Sequence, residues 1–221
     1  MEDFIVDIDR EKLKRMLYSG ALSDVLDQMG YPNQTIGHDI MPLADNTVIF
    51  GPAFTSIGTV VYSMPEDPLT AQCKVVDQLK EGEIYVLVTR GEKICAVFGE
   101  LFATRVNIKK GAGVLLDGYA RDLSALKKMD FPLFYKGHDP RTSKGRTEIN
   151  ECQIPVIFDG VKICPGDWIF GDIDGVTVIP KDIAEEVFER ALEIVASEDA
   201  VRDNLLKGVA MQDVYKKFDT I

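Results

Sequence analysis

Three side chains and one glycine carry the chemistry that this sequence suggests: Glu100 directly after Gly99, and the adjacent pair Arg121-Asp122. A glycine lets backbone approach a bound group closely, and a guanidinium grips a planar anion through two parallel hydrogen bonds. Asp122 could hold a hard divalent ion such as magnesium, which prefers oxygen ligands and keeps several waters. Glu100 could join through one of those waters or move a proton. These residues lie apart in sequence, so the chemistry depends on elements that bring them together.

The stretch 94–122, ICAVFGELFATRVNIKKGAGVLLDGYARD, supplies such elements. An apolar strand from Ile94 to Phe98 turns at Gly99-Glu100, and an amphipathic segment follows to Lys110. Gly111 and Gly113 break it, and a second strand, Val114 to Leu116, is ended by Asp117-Gly118. The crossover of a strand–helix–strand unit is right-handed, which makes the two strands parallel and neighbouring. Gly99-Glu100 and residues 117–122 then meet at the sheet edge where open α/β folds bind ligands. The free N–H groups that open the helix suit a carboxylate or phosphate. A plainer reading stays open beside this one. Arg121-Asp122 would cap a short helix from Leu123, and Glu100 would sit at its helix N-terminus for dipole reasons.

The chain has 221 residues, 46% hydrophobic and 28% charged, which suits one globular domain over 1–221 with a helical tail from about 181. No apolar run approaches the roughly 20 residues that span a bilayer, and MEDFIVDIDREK lacks a signal-peptide pattern. The expected compartment is the cytoplasm, with no membrane partner. Net charge is −11, from 36 acidic and 25 basic side chains, so a phosphate backbone is repelled and direct nucleic-acid binding is disfavoured. Cys73, Cys95, Cys152 and Cys164 show no C-x-x-C pairing and are expected to be buried free thiols.

The remaining elements follow from periodicity. Two short helices fit residues 10–30, the second capped by Ser19, with Asp24 and Asp27 on its solvent side. Residues 36–46 are loop-like, and Thr47 to Ser63 gives two strands bent at Gly51-Pro52 and Gly58. Pro68 opens a helix with Leu69, Cys73, Val76 and Leu79 on one face. A strand from Ile84 to Thr89 is followed by a hairpin loop, Arg90 to Lys93. Leu123 to Lys128 forms a short helix and Leu133 to Tyr135 a strand. Residues 136–151 form a polar surface loop or flap. PVIFDGVKI is a hairpin around Asp159-Gly160, and strands follow at Trp168 to Phe170 and Val176 to Ile179. The last helices start after Pro180, with Ala184, Val187, Phe188, Ala191, Leu192 and Val195 on one stripe.

Other machinery is poorly supported. Zinc has only His38 and His138, far apart and without a thiol pair. There is no G-x-S-x-G elbow, and Gly111-x-Gly113 precedes a strand rather than following one. Asp172-x-Asp174-Gly175 lacks the remaining spacing of a calcium loop and is taken as a turn.

GELFAT followed by GAGVLLDGYARD resembles the signature of the RraA-like family, whose class II 4-hydroxy-4-methyl-2-oxoglutarate aldolases also decarboxylate oxaloacetate. ALSDVLDQMG, GPAFT at 51–55 and IPVIFDGVKICPGDWIFGDIDGVTVIP at 154–180 resemble further family blocks in the expected order. The resemblance implies an α/β fold of the swivelling β/β/α type with N- and C-terminal helices. It also implies a homotrimer or homohexamer (a dimer of trimers) with sites between subunits. By motif position, Arg121 would bind and polarise the pyruvyl group, and Asp122 would be the direct protein ligand of Mg2+, Mn2+ or another divalent cation. Glu100 would contact metal-bound water, and Gly99 with the amides of Leu101, Phe102 and Ala103 would cradle the substrate carboxylate. Glu198 of a neighbouring subunit is the best match for an acid that completes the metal shell through water. The chain departs from the family pattern after GELFAT, where Arg105 and Val106 replace small residues.

The expected activity is therefore a divalent-metal-dependent lyase that cleaves the C3–C4 bond of a 2-oxo acid. The route is retro-aldol cleavage or decarboxylation through a metal-stabilised pyruvate enolate. A Schiff-base aldolase using Lys93 or Lys109 is a competing mechanism. A protein-binding regulator of the RNase E type is a competing class, to which an acidic surface is suited. A family member acting on another 2-oxo or hydroxy acid is a third reading.

Overall fold

The computed structural model describes residues 10–37, 39–90 and 93–218. Helices α1 (Arg10–Met16) and α2 (Ser19–Gln28) precede two short strands, β1 (Thr35–Ile36) and β2 (Met41–Pro42), and the long strand β3 (Ile49–Val60). Next come α3 (Thr70–Val76), β4 (Ile84–Val88), β5 (Ala96–Phe98), α4 (Glu100–Ile108), β6 (Gly113–Ala120) and α5 (Leu123–Lys128). Strands β7 (Leu133–His138) and β8 (Thr147–Cys152) lead to the hairpin β9 (Val156–Phe158) and β10 (Val161–Ile163). The pair β11 (Trp168–Asp172) and β12 (Gly175–Ile179) follows, then α6 (Ala184–Leu206) and α7 (Met211–Phe218).

The sheet is ordered β1-β12-β11-β3-β4-β6-β7-β2. Its centre, β3 to β4 to β6 to β7, is parallel, and β5 lies parallel to the end of β6. Strands β11, β12 and β8 are antiparallel additions. β3 is the hinge of this arrangement. Its first residues pair with β11, its last pair with β8, and the register slips between Ile57 and Gly58. The expected bend thus exists as a bulge and a change of partner within one strand, and Gly51-Pro52 does not interrupt it. Gly51 is required sterically, because a Cβ there would lie 2.3 Å from the carbonyl oxygen of Gly82.

Three apolar clusters hold the layers together. One packs Val76, Leu79, Val106 and Leu126 of the helical layer on Tyr85, Phe98 and Leu116 of the parallel sheet. A second places Phe158, Val161 and Ile163 of the β9–β10 hairpin on Val86 and Leu115. The third joins α1, α2 and α6 to the antiparallel strands through Leu22, Phe50, Trp168 and Phe188, with the Phe50 and Trp168 ring centroids 4.9 Å apart. Apolar burial of this kind supplies most of the driving force for such a fold.

Several local expectations are corrected. Ser19 begins α2 rather than capping it: its N–H and hydroxyl both donate to Asp172, at 2.8 and 2.7 Å. Strand β6 runs through Asp117-Gly118 to Ala120, because β7 and β5 continue the ladder along it. Residues 36–46 are not wholly loop, since Ile36 pairs with β12 and Met41 with β7. In α3 the buried face is Gln72, Val75 and Val76, with Leu79 beyond it, whereas Cys73 is exposed. Only Cys95 is buried among the four thiols, and burial pushes its pKa up. Residues 147–152 form β8 rather than part of a flap. β4 and β5 both run parallel to β6 and so are not a hairpin, and Gly91 and Glu92 lie outside the described residues. His38 and the segment 1–9 also lie outside them. Among the described residues no helix is long and apolar enough to cross a membrane.

Candidate active site at the carboxyl ends of two parallel strands

The strand–helix–strand unit forms as its sequence predicts, and its strand ends lie abreast. Phe98 pairs with Ala120, and the Arg121 N–H donates to the Phe98 carbonyl at 2.9 Å. Gly99 therefore faces Arg121-Asp122 directly. A Cβ at position 99 would sit 2.7 Å from Asp122 Oδ2 and 3.1 Å from Arg121 Cγ. The backbone at Gly99 is extended, so glycine is needed there for space and not for handedness.

Asp122 bears on both readings of this stretch. It occupies the N-cap position of α5 in a left-handed conformation, with φ of 61°, which aspartate tolerates better than most residues. Its side chain makes no capping bond to α5. The carboxylate turns instead to α4, where the Glu100 N–H donates to Oδ2 at 3.3 Å, and Arg121 Nε lies 3.5 Å from the same oxygen. Asp122 thus caps α5 through its backbone carbonyl, which accepts the Ala125 N–H at 2.9 Å, and not through its side chain. Its carboxylate belongs to the crevice between two loop ends.

The first turn of α4 completes the arrangement. The Ala103 N–H is committed to the Gly99 carbonyl at 3.0 Å, which removes it from the expected carboxylate cradle. The amides of Leu101 and Phe102 have no partner within the helix, as the first turn of any helix requires, and the helix dipole adds partial positive charge there. Glu100 is half-buried and its carboxylate accepts a hydrogen bond from the Thr104 hydroxyl at 3.2 Å.

Gly99, Leu101, Phe102, Arg121 and Asp122 open onto one cleft of about 390 Å³. Its far wall comes from α3, through Leu69, Cys73 and Val76, and from an ion pair between Arg105 and Asp77 at 2.6 Å. Thr142 and Ser143 form its rim. They sit on a loop that is tied down. Arg141 donates through Nε and its N–H to Asp139, and its carbonyl accepts the Ala96 N–H at 2.9 Å. The Arg141 side chain, then its backbone N–H, holds the Asp139 carboxyl down at about 2. Sequence reasoning missed this far wall. The signal was present in Arg105, four residues beyond Leu101 and therefore on the same face of α4.

No group of three His, Cys, Asp or Glu side chains is placed to cage a metal among the described residues. Two carboxylates line the cleft: Asp77, which is paired with Arg105, and Asp122, which stands at the strand ends with 44% of its side chain exposed. An oxygen donor of that kind fits a hard divalent cation that keeps most of its waters, and does not fit a dedicated protein cage. Glu198 lies on α6, accepts a hydrogen bond from the Tyr18 hydroxyl, and is not among the residues lining this cleft. Lys93 is exposed and Lys109 caps the opposite end of α4, and neither lines the cleft.

A family model described as RraA-like, Aldolase/RraA, matches residues 19–178. The chain belongs to the RraA-like family. It is 34% identical over 196 residues to a provisionally named 4-hydroxy-4-methyl-2-oxoglutarate aldolase of Halalkalibacterium halodurans, covering 87% of this chain and 88% of that protein. Protein DlpA of Legionella pneumophila is 29% identical over 206 residues, which span 90% of this chain but 32% of DlpA. An uncharacterized Pseudomonas syringae structure superposes with a TM-score of 0.82 at 26% identity, covering 94% of each chain. Streptomyces coelicolor RraAS2, described as an unusual member of the RNase ES inhibitor RraA family, superposes at 0.76 with 25% identity, over 86% of this chain and 96% of that one. The RraA-like α/β fold expected from the sequence is thus the one found.

Proposed function

We propose that this RraA-like protein is a divalent-metal-dependent lyase that releases pyruvate from a 2-oxo acid by breaking the C3–C4 bond. The observation that carries the reading is the Asp122 carboxylate, turned away from its own helix toward the amino end of α4 beside Arg121. A cap would need only Asp122, and a core ion pair would be closed to solvent. This pair opens onto a cleft of small-molecule size whose neighbouring amides favour an anion. The aldolase name carried by the Halalkalibacterium relative supports the same chemistry.

The amides of Leu101 and Phe102 receive the substrate carboxylate, and Arg121 donates to the 2-oxo oxygen. As the C3–C4 bond breaks, its electron pair moves into the pyruvyl end, and the guanidinium meets negative charge where it develops. Gly99 keeps this space open. A magnesium or manganese ion held by Asp122 supplies Lewis-acid polarisation of the 2-oxo group when bound. Glu100 positions the water that protonates the methylene carbon, and in the aldol case the 4-hydroxyl proton leaves to a base. A trimeric or hexameric assembly with the cleft between subunits is part of this reading. Leu101 is 76% exposed at the cleft mouth, a place for a second copy, and Glu198 would reach the site only from such a copy.

The test is pyruvate release from 4-hydroxy-4-methyl-2-oxoglutarate with magnesium. Asp122→Ala should lose activity by about a thousandfold or more while its circular dichroism is unchanged. Full activity in that variant, or a covalent pyruvate adduct trapped by borohydride, would remove the metal-dependent reading in favour of a lysine route. A second reading, a protein-binding regulator, is favoured by the likeness to RraAS2 and the net charge of −11. Binding to an RNase E-type protein that survives Asp122→Ala, in a chain inactive on all 2-oxo acids, would select it.

A further inference from the structure

Two guanidinium groups line the cleft, and only Arg121 is used above. The other is Arg105, which lines the cleft with Leu101 and Phe102. Its Nε donates to Asp77 Oδ1 at 2.6 Å, and among the described residues no other group takes its two terminal nitrogens. The guanidinium side chain is 44% exposed, so it is anchored at one edge and open at the other. Four residues of α4 separate it from Leu101, a rise of about 6 Å along the helix. That is comparable to the span of a five-carbon chain whose first carboxylate sits on the Leu101 and Phe102 amides. Between the two ends the wall is apolar, formed by Leu69, Val76 and Phe102.

We propose, building on the 2-oxo acid reading of this cleft, that Arg105 is its specificity-determining residue. It binds a second carboxylate at the distal end of the substrate, and Asp77 positions it. The chemistry then separates the two reactions open to the site. In decarboxylation the distal carboxylate itself becomes neutral CO₂, its electron pair passing into the pyruvyl end. A guanidinium on that carboxylate stabilises charge present in the ground state and absent in the transition state, which slows the step. In retro-aldol cleavage the C3–C4 pair moves to C3, the 4-hydroxyl loses its proton and becomes a carbonyl, and the distal carboxylate keeps its charge. Arg105 then holds substrate without opposing reaction. Arg105 therefore favours retro-aldol cleavage over decarboxylation at the same site.

Two unreactive acids of equal chain length test this by calorimetry in the presence of magnesium. 2-Oxoglutarate has the distal carboxylate and 2-oxopentanoate has a methyl group in its place. The wild-type protein should bind the diacid about tenfold to a hundredfold more tightly, the worth of one charge-assisted pair. Arg105→Gln should bring the two within about threefold by weakening the diacid alone, and Asp77→Asn should keep part of the preference. In kinetics Arg105→Gln should raise KM for the aldol substrate and leave oxaloacetate decarboxylation no slower. Equal binding of the two acids by wild type, or an unchanged ratio in Arg105→Gln, overturns the proposal. Pyruvate, which has no distal group, reads the Arg121 end alone. A wild-type protein that fails to bind pyruvate overturns the 2-oxo acid reading, and this inference with it.

Discussion

At the scale of single residues, the site depends on a glycine being a glycine. Position 99 is extended, so any side chain could adopt its backbone angles, yet a Cβ would meet Asp122 Oδ2 at 2.7 Å. Gly99→Ala should therefore leave the melting temperature nearly unchanged while lowering kcat/KM by about a hundredfold, because a displacement near 1 Å at a reacting centre costs that much. Thermal unfolding beside steady-state kinetics checks both halves. An active Gly99→Ala protein would mean that Arg121 and Asp122 need not face this turn. The meeting of Gly99 with Arg121 and Asp122 was legible in sequence because a strand–helix–strand pattern forces two loop ends together whatever the rest of the fold does, while Glu100, beside them, does not line the cleft. The role of Ala103 was not legible. Which amide is free depends on which residue supplies the N-cap carbonyl, and a shift of one residue changes the answer.

At the scale of elements, the loop 139–146 shows where local sequence misleads. KGHDPRTSKGRT, residues 136–147, is polar throughout and suggested a surface loop or a flap, yet Ser143 and Thr147 are buried and Arg141 is clamped to Asp139. A polar segment can be fixed by its own ion pair, and no periodicity reports that. The Asp139 carboxyl is held down, from 3.8 to about 2, first by the Arg141 side chain and then by its N–H. A depressed carboxyl contributes order that is present above its ordinary pKa and lost as pH falls through the depressed one. The clamp should thus be intact above pH 4 and released near pH 2. At neutral pH Asp139→Asn should speed hydrogen exchange at the Ala96 amide, which is bonded to the Arg141 carbonyl. Unchanged exchange there would mean that the bridge does not hold the rim of the cleft. Strand β3 is a similar case, since Gly51-Pro52 and Gly58 looked like breaks until the strand was seen to change partners rather than end.

At the scale of the molecule, the hairpin β9–β10 is joined to the parallel sheet by Lys136. Its Nζ lies 2.8 Å from Asp117 on β6 and 2.5 Å from Asp159 at the hairpin turn, with 13% of its side chain exposed. Burial lowers the Lys136 pKa and its two aspartates raise it, for a net rise above the usual 10.5. A raised lysine contributes stability at lower pH that is lost as pH climbs through its folded value, so this tie should hold across the neutral range. Lys136→Met removes the ammonium group from beside Asp117, whose side chain is 3% exposed. The cost should be about 3–5 kcal/mol in urea unfolding. A change under about 1 kcal/mol would show the hairpin to be held by its apolar face alone. The sequence could not show this tie, because Asp117 was expected to end a strand and instead sits inside one. In the proposed function, the fold brings one carboxylate, one guanidinium and one helix end to a single 2-oxo acid. The most direct measurement of that claim is a crystal structure of the protein with manganese and oxalate, a mimic of the pyruvate enolate. The account expects the ion on Asp122 and the oxalate against Arg121 and the Leu101 and Phe102 amides; manganese bound elsewhere, or oxalate away from Arg121, would contradict it.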